Sequence, residues 1–378
     1  MSIANKIGVG FFVHSEALSG AEKRIAKIVQ RLTMLGITAV IFCDTKIFNL
    51  YRGTAYVESS YLRSWRYPFV IRLTSFGRKR LAKFRKAVGL ENLHLALVYR
   101  YWRKKFEREG VSVSHVFLNP AICRDLPGPK VYEITSPDMA RVLEKKASEF
   151  PGDFFPPGTL LRPNSESVEA ALGPTLRRWQ IRTAQNAVFI PDMEQEIDLH
   201  NKEDLIVFAH RLVARKNPLV FAEAVKQFLI TNPQWKIAIL GDGDQKSKVV
   251  ESLKNEIQKG QVEVAYVSNV QDYLARSKIF VSIESEDNYS NQSVLEAMWA
   301  HNALLLTDRG ATRKRFFDGN AVLCDPTLDS VSAALQKLVG PEYDISEMAQ
   351  ASRNLLDREY SVDAYLEQLI DVYQSFRK

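Results

Sequence analysis

The sequence predicts an α/β protein built from two Rossmann-like domains, each a doubly wound parallel sheet, facing a central cleft. Three observations carry this expectation. The chain has 378 residues, enough for two ordinary domains. Residues 7–43 read as one βαβ unit, and residues 205–307 alternate strictly between short apolar strands and helices. The composition, 46% hydrophobic and 25% charged, is that of a globular chain and excludes disorder, collagen-like repetition and a disulfide scaffold.

In the first half an apolar strand at 7–13 runs through a Ser/Gly turn at 15–20 into a helix at 21–35 and a second strand at 38–43. Further strands are expected at 113–118, 131–135, 159–161 and 187–190. Pro191 and Asp192 close the last of these, and the charged stretch 193–204 sets the domain boundary. The domains are therefore 1–191, with a basic insertion at 51–110, and 192–360. A C-terminal helix at 361–378 returns to brace the first domain.

In the second half, strand 205–210 leads to helix 218–230, strand 235–240 to helix 245–258, and strand 262–267 to helix 270–277. Strand 279–283 leads to helix 292–301, and strand 303–307 to a turn. Helices at 346–360 and 362–376 follow. Such alternation with short connections means a parallel sheet whose ligand crevice lies at the carboxyl ends of its strands.

Two strand-to-helix loops hold the chemistry. In "FAHRLVARKNP" (208–218), Arg211 and Lys216 bracket a loop before a helix that Asn217 would cap and Pro218 would open. Two cations beside a helix start suit a diphosphate, and equally an ordinary solvated loop. In "SEDNYSNQSVLEAM" (285–298), Glu296 lies in the first turns of a helix, where a carboxylate can accept from vicinal ribose hydroxyls or simply complement the helix dipole. The helix start at Ser290, Asn291 and Gln292 adds donors for an anion.

Together these loops resemble the donor-binding half of retaining glycosyltransferases of the GT-B fold, family 4 in particular, with their Arg-Leu-x-x-x-Lys loop and E-x7-E block. The resemblance extends to "ILGDGD" (239–244), "LLLTDRGATR" (304–313) and "SGAEKR" (19–24). It implies a nucleotide-sugar donor, with Arg211 and Lys216 on the diphosphate and Glu296 on the ribose. Gly20 then falls in the glycine-rich turn of the first, acceptor-side domain, where it joins the donor-binding candidates by letting the backbone approach the ligand closely, or is a simple tight turn.

The sequence departs from the family pattern at Asn288, where the first Glu of E-x7-E would stand. An amide there still hydrogen-bonds the transferred sugar but brings no charge to an oxocarbenium-like centre. Glu286 or Asp287 could supply a carboxylate instead. The polar residues offered near the cleft by the first domain are Asn119, His115 and Asp138. Asp138 joins Arg211, Lys216 and Asn288 as a catalytic candidate.

Gly8 and Gly10 lack the third glycine of a dinucleotide fingerprint. Asp242-Gly243-Asp244 matches a metal-binding D-x-D on paper. Its place after the domain's second strand makes it a turn, and no metal or other cofactor is expected. His14 and His301 stand at element ends and read as structural. Cys43, Cys123 and Cys324 are too far apart for a pair or a metal set and read as small buried hydrophobes.

Residues 51–110 hold fifteen cations against four acids, a net +11 within a chain of net +7. Aromatics are interleaved, a combination that suits an anionic membrane surface or a solvated helix face with a local core. No nucleic-acid-binding module frames the cluster, and no nucleic-acid partner is expected. No apolar run reaches the length of a membrane span, so the expected location is cytoplasmic, peripheral on the inner face of the plasma membrane. The expected activity is transfer of a hexose, with retention, from a nucleotide sugar to a lipid-linked or cell-surface polysaccharide or glycolipid acceptor. The alternatives are another GT-B nucleotide-sugar enzyme, such as an epimerase or sugar-phosphate synthase, and a partner subunit that binds nucleotide sugar without catalysis.

Overall fold

A computed structural model of the chain describes residues 7–13, 20–52, 58–66, 68, 90–117, 119–149, 154–188, 197, 202–267, 269–288 and 291–377. His14, the turn at 15–19, Ser290, most of the charged stretch 193–201 and residues 69–89 of the basic insertion lie outside the described residues. The chain divides into two compact units. One comprises Met1–Ala184 with Leu366–Lys378, the other Gln185–Tyr365.

The first unit opens with β1 (Gly8–Val13), α1 (Gly20–Met34), β2 (Thr38–Cys43), α2 (Thr45–Arg52) and β3 (Leu62–Ser64). It continues with α3 (Leu90–Glu109), β4 (Val113–Phe117), β5 (Lys130–Ile134), α4 (Pro137–Glu149), β6 (Thr159–Pro163), α5 (Glu166–Ala170) and β7 (Gln180–Ile181). Its seven strands are parallel in the order β3-β2-β1-β4-β5-β6-β7. All six residues of β1 are buried, as a strand covered on both faces requires. Gly8 and Gly10 are packing glycines within that strand. An added Cβ would lie 1.7 Å from the Gly110 carbonyl oxygen at the first and 2.9 Å from the Phe42 ring at the second. Helix α1 turns Ile25, Ile28, Val29 and Leu32 inward at helical spacing.

The second unit runs β8 (Glu203–Ala209), α6 (Pro218–Thr231), β9 (Lys236–Leu240), α7 (Lys246–Ser252), α8 (Lys254–Gln258), β10 (Val262–Ala265), α9 (Gln271–Arg276) and β11 (Ser277–Ser282). Then come α10 (Gln292–Trp299), β12 (Ala303–Thr307), α11 (Thr312–Phe316), β13 (Ala321–Cys324), α12 (Leu328–Leu338) and α13 (Ile345–Glu359). Helix α14 (Val362–Ser375) closes the chain, most of it within the first unit. The six strands are parallel in the order β10-β9-β8-β11-β12-β13, so the winding reverses between β8 and β11. That reversal is the topological switch point at which a doubly wound sheet receives its ligand.

Four expectations need correction. Residues 187–188 form no strand; Ala187 and Val188 are fully buried, with the Val188 N–H donating to the Tyr360 carbonyl at 3.2 Å. An apolar run satisfies burial in either way, and periodicity alone does not distinguish them. The helix at 245–258 is two helices, broken at the buried Leu253, whose backbone leaves the helical path at φ −103°. The turn after residue 307 is followed by two more helices and the sheet's sixth strand, β13. Lastly, some aromatics of the basic insertion are core residues. Trp102 and Phe106 on α3 pack on Phe12 and Phe42 of the sheet, while Arg100, Arg103, Lys104 and Arg108 are exposed. The three cysteines are buried thiols, which burial pushes up to about 12.

Candidate functional site

The switch point of the second unit gathers the two loops that the sequence singles out. The loop after β8 is held on one side by β9. The His210 N–H donates to the Leu240 carbonyl at 3.0 Å, the Leu212 N–H to that of Asp242 at 2.9 Å, and the Gln245 N–H to that of Leu212 at 2.9 Å. Glycine permits this approach. A Cβ at Gly241 would lie 1.9 Å from the His210 carbonyl oxygen, and one at Gly243 2.4 Å from that of Leu212. The residues 241–244 are therefore a turn clamped on the backbone that presents Arg211. The Arg211 side chain is exposed.

On its other side the same loop is tied to the end of β11. Asn217 takes the left-handed conformation (φ 53°, ψ 41°), which asparagine tolerates better than most residues. It occupies the cap position of α6, but its side chain does not cap the helix. It crosses instead to the Ile283 carbonyl at 2.7 Å and the Ser285 hydroxyl at 3.0 Å. The Ser285 N–H donates in return to the Arg215 carbonyl at 2.9 Å. The two loops are thus tied to each other.

At their junction lies Glu284, a residue that sequence reasoning missed. Its carboxylate is buried, contacts the Lys216 ammonium, accepts from the Arg215 guanidinium at 3.2 Å and from the Asn291 amide at 2.8 Å. Burial, with Arg215 beside it, pushes the Lys216 ammonium down toward about 7. The Glu284 carboxylate in direct contact opposes this shift. Nearby His210 is buried and held well below its ordinary value by burial and by the Lys216 charge, so it is neutral. A carboxylate directly after an apolar strand was the available signal for Glu284; its partners become neighbours only when β8 and β11 pair.

Asn291 caps α10, its side-chain oxygen accepting from the Ser293 N–H at 3.2 Å. Gln292 spends its amide on the segment before the sheet, donating to the Asn186 side chain at 3.2 Å and the Ala187 carbonyl at 2.7 Å. Glu296 is half-buried one turn further along α10. Asn288 is fully buried: its amide accepts from the Ser282 hydroxyl at 2.6 Å and donates to the Thr307 carbonyl and hydroxyl at 3.1 and 2.8 Å. It fastens the loop to β11 and β12. Asp287 caps the next turn, accepting from the Ala311 N–H at 3.1 Å, and Glu286 is exposed. Among the described residues no group of three or more His, Cys, Asp or Glu side chains gathers as metal ligands.

In the first unit, Gly20 is the first residue of α1, and Asp138 is exposed in the first turn of α4, paired with Arg141 at 2.6 Å. Asn119 caps the short turn at 120–124, accepting from the Ala121 N–H at 3.1 Å. His115 is fully buried in a charged network. Its Nε2 lies 3.1 Å from the Glu133 carboxylate and its Nδ1 2.7 Å from the Tyr373 hydroxyl on α14. Arg24 and Arg162 pair with the same carboxylate at 2.9 and 3.5 Å. Against the cost of burial, Arg24 and the His115 hydrogen bond bring Glu133 down to about 2, while burial lowers His115 and keeps it neutral. Nε2–H then donates to Glu133, and the Tyr373 hydroxyl donates to Nδ1.

Comparison with known proteins agrees with this architecture. The family described as Glycosyl transferases group 1 matches residues 189–355. No curated protein matches the sequence. Among solved structures, a glycosyltransferase of Rickettsia africae is 14% identical with a TM-score of 0.67, covering 99% of this chain and 99% of its own. TarM of S. aureus is 12% identical with a TM-score of 0.69, covering 97% of this chain and 99% of its own. HepE of Anabaena is 12% identical with a TM-score of 0.67, covering 98% of this chain and 100% of its own. The two parallel-sheet units have the GT-B fold, and the match to the Glycosyl transferases group 1 family falls on the second of them.

Proposed function

We propose that the protein transfers a hexose from a nucleotide sugar to a lipid-linked or cell-surface polysaccharide or glycolipid acceptor, with retention of configuration. One observation supports the donor half of this reading above all. Arg211, Lys216 and the start of α10 converge at the β8/β11 switch point, on two loops locked together by Asn217 and Ser285. Cations and backbone donors gathered there favour the charge that develops on a departing nucleoside diphosphate. Glu296 stands one turn along α10 for the ribose. TarM has been solved with UDP and alpha-GlcNAc-glycerol, and HepE with UDP and glucose, which supports a uridine nucleotide among the donors to be tried. In this reading the exposed cations of α3 bring the first unit to an anionic membrane that carries the acceptor.

The test is a panel of nucleotide sugars, measured for binding and for slow hydrolysis, with Lys216→Ala beside the wild type. Binding that falls in the variant supports the reading. If no nucleotide sugar binds, or the variant binds as well as the wild type, the reading is wrong.

A second reading, a subunit that binds nucleotide sugar without transferring it, is favoured by Asn288. Its amide is spent on Ser282 and Thr307, so the position brings neither charge nor a free hydrogen bond to a sugar. Donor binding without hydrolysis or transfer, in wild type and Asn288→Glu alike, selects this reading.

A further inference from the structure

We infer that Glu284 is a built-in counter-ion that competes with the ligand's diphosphate for Lys216. The inference rests on the donor-site reading above. Lys216 is the one cation of the loop that is buried, and its ammonium points at a carboxylate, not at open solvent. Glu284 is held there by more than Lys216. Arg215 donates to one of its oxygens, Asn291 to the other, and the Thr307 hydroxyl to its backbone carbonyl at 2.7 Å.

This arrangement has the chemistry of an occupied anion site. An ammonium, a guanidinium and the cap amide of α10 surround two carboxylate oxygens as they would surround two phosphate oxygens. A diphosphate arriving between Arg211 and α10 takes Lys216 over, and Glu284 keeps Arg215 and Asn291. The site therefore holds the released diphosphate less tightly than its cations alone would, and the internal carboxylate helps the product leave. Affinity is reduced by the fraction of time that Lys216 is engaged internally.

The experiment measures UDP binding by calorimetry to the full chain as wild type, Glu284→Gln, Lys216→Ala and the double variant. Glu284→Gln keeps the size of the side chain and an acceptor for Asn291 while removing the charge. It is expected to tighten UDP about tenfold, the effect of releasing a Lys216 that is internally engaged nine-tenths of the time. In the Lys216→Ala background the same change should tighten UDP less than about twofold, because the competed partner is gone. A merely structural role for Glu284 would not produce that coupling. Weaker UDP binding in Glu284→Gln, or equal tightening in both backgrounds, overturns the inference.

If Glu284→Gln does not fold, Glu284→Asp is read instead. It retains the charge and withdraws it by one methylene, and tighter UDP binding is expected; unchanged or weaker binding overturns the proposal. Failure of the wild type to bind any nucleoside diphosphate is a different result, and it refutes the donor-site reading itself.

Discussion

Lys216 and Glu284 stand 68 residues apart in the chain and in direct contact in the fold, each just beyond the end of one of the two strands where the sheet reverses its winding. The pair is buried, so its energetics differ from those of the exposed Arg276–Glu203 pair, which contributes about 1 kcal/mol or less. Removing one partner leaves a buried charge behind. Lys216→Ala is therefore expected to lower the unfolding midpoint as well as nucleotide affinity. Lys216→Met, which keeps the apolar stem, should lose the affinity equally, and calorimetry with thermal melts separates the two effects.

Asn288→Ala should destabilise the protein by about 2–3 kcal/mol, because the Ser282 and Thr307 hydroxyls lose their buried partner. Asn288→Asp keeps the size but turns two donors toward Thr307 into acceptors, and it should be no more stable than the alanine variant. Chemical denaturation reads both, and a wild-type midpoint for Asn288→Ala would contradict the fastening role.

Gly241→Ala places a methyl group 1.9 Å from the His210 carbonyl oxygen, backbone against backbone, so the Arg211 loop must shift. Nucleotide affinity should fall by at least the roughly tenfold associated with one lost charge contact. Gly260→Ala is the control, since nothing lies within 4 Å of its added carbon. Any effect there measures positive-φ strain alone.

The pH dependence of stability follows from the buried titratable groups. His115, His210 and His301 are all lowered, His301 to about 4, so the unfolded chain binds more protons below about 6.5. Their contribution is present above that pH and is lost as pH falls through it. Glu133, brought down to about 2, contributes above the ordinary carboxylate value near 4.5 and loses its contribution between there and about 2. The unfolding midpoint should therefore drop continuously from neutral pH downward. Tyr373→Phe removes the hydroxyl that His115 accepts and should cost about 1 kcal/mol at neutral pH. A midpoint that is flat between pH 7 and pH 4 would contradict this account.

If the exposed cations of α3 meet a membrane, the variant in which Arg100, Arg103 and Lys104 are all changed to Glu should lose binding to anionic vesicles. Wild-type binding should weaken as salt rises, through screening. Trp102 and Phe106 are core residues, so changing either to Ala should cost stability, about 3–5 kcal/mol, before any membrane effect is read. Co-sedimentation across a salt series checks the first claim and thermal melts the second.

What was legible in the sequence is what local chemistry and periodicity encode. Strand 303–307 and the strand 38–43 have the bounds expected of them, because an apolar run between turn residues has few other uses. The βα alternation gave the parallel sheets, and their strand ends gave the loops of Arg211, Lys216, Asn291 and Glu296. Residues whose role depends on a distant partner were not legible. Asn217 looks like a helix cap, yet its side chain bonds across to Ile283 and Ser285. Asn288 looks like a ligand-facing amide, yet Ser282 and Thr307 consume it. Trp102 looks like a surface aromatic among cations until the sheet supplies Phe12 and Phe42. The sequence by itself determined the two α/β units and the loops where chemistry is to be sought. The tertiary structure alone decided which side chains remain available there, because burying a polar group obliges it to find a partner, and only the pairing of β8 with β11 brings Glu284 to Lys216.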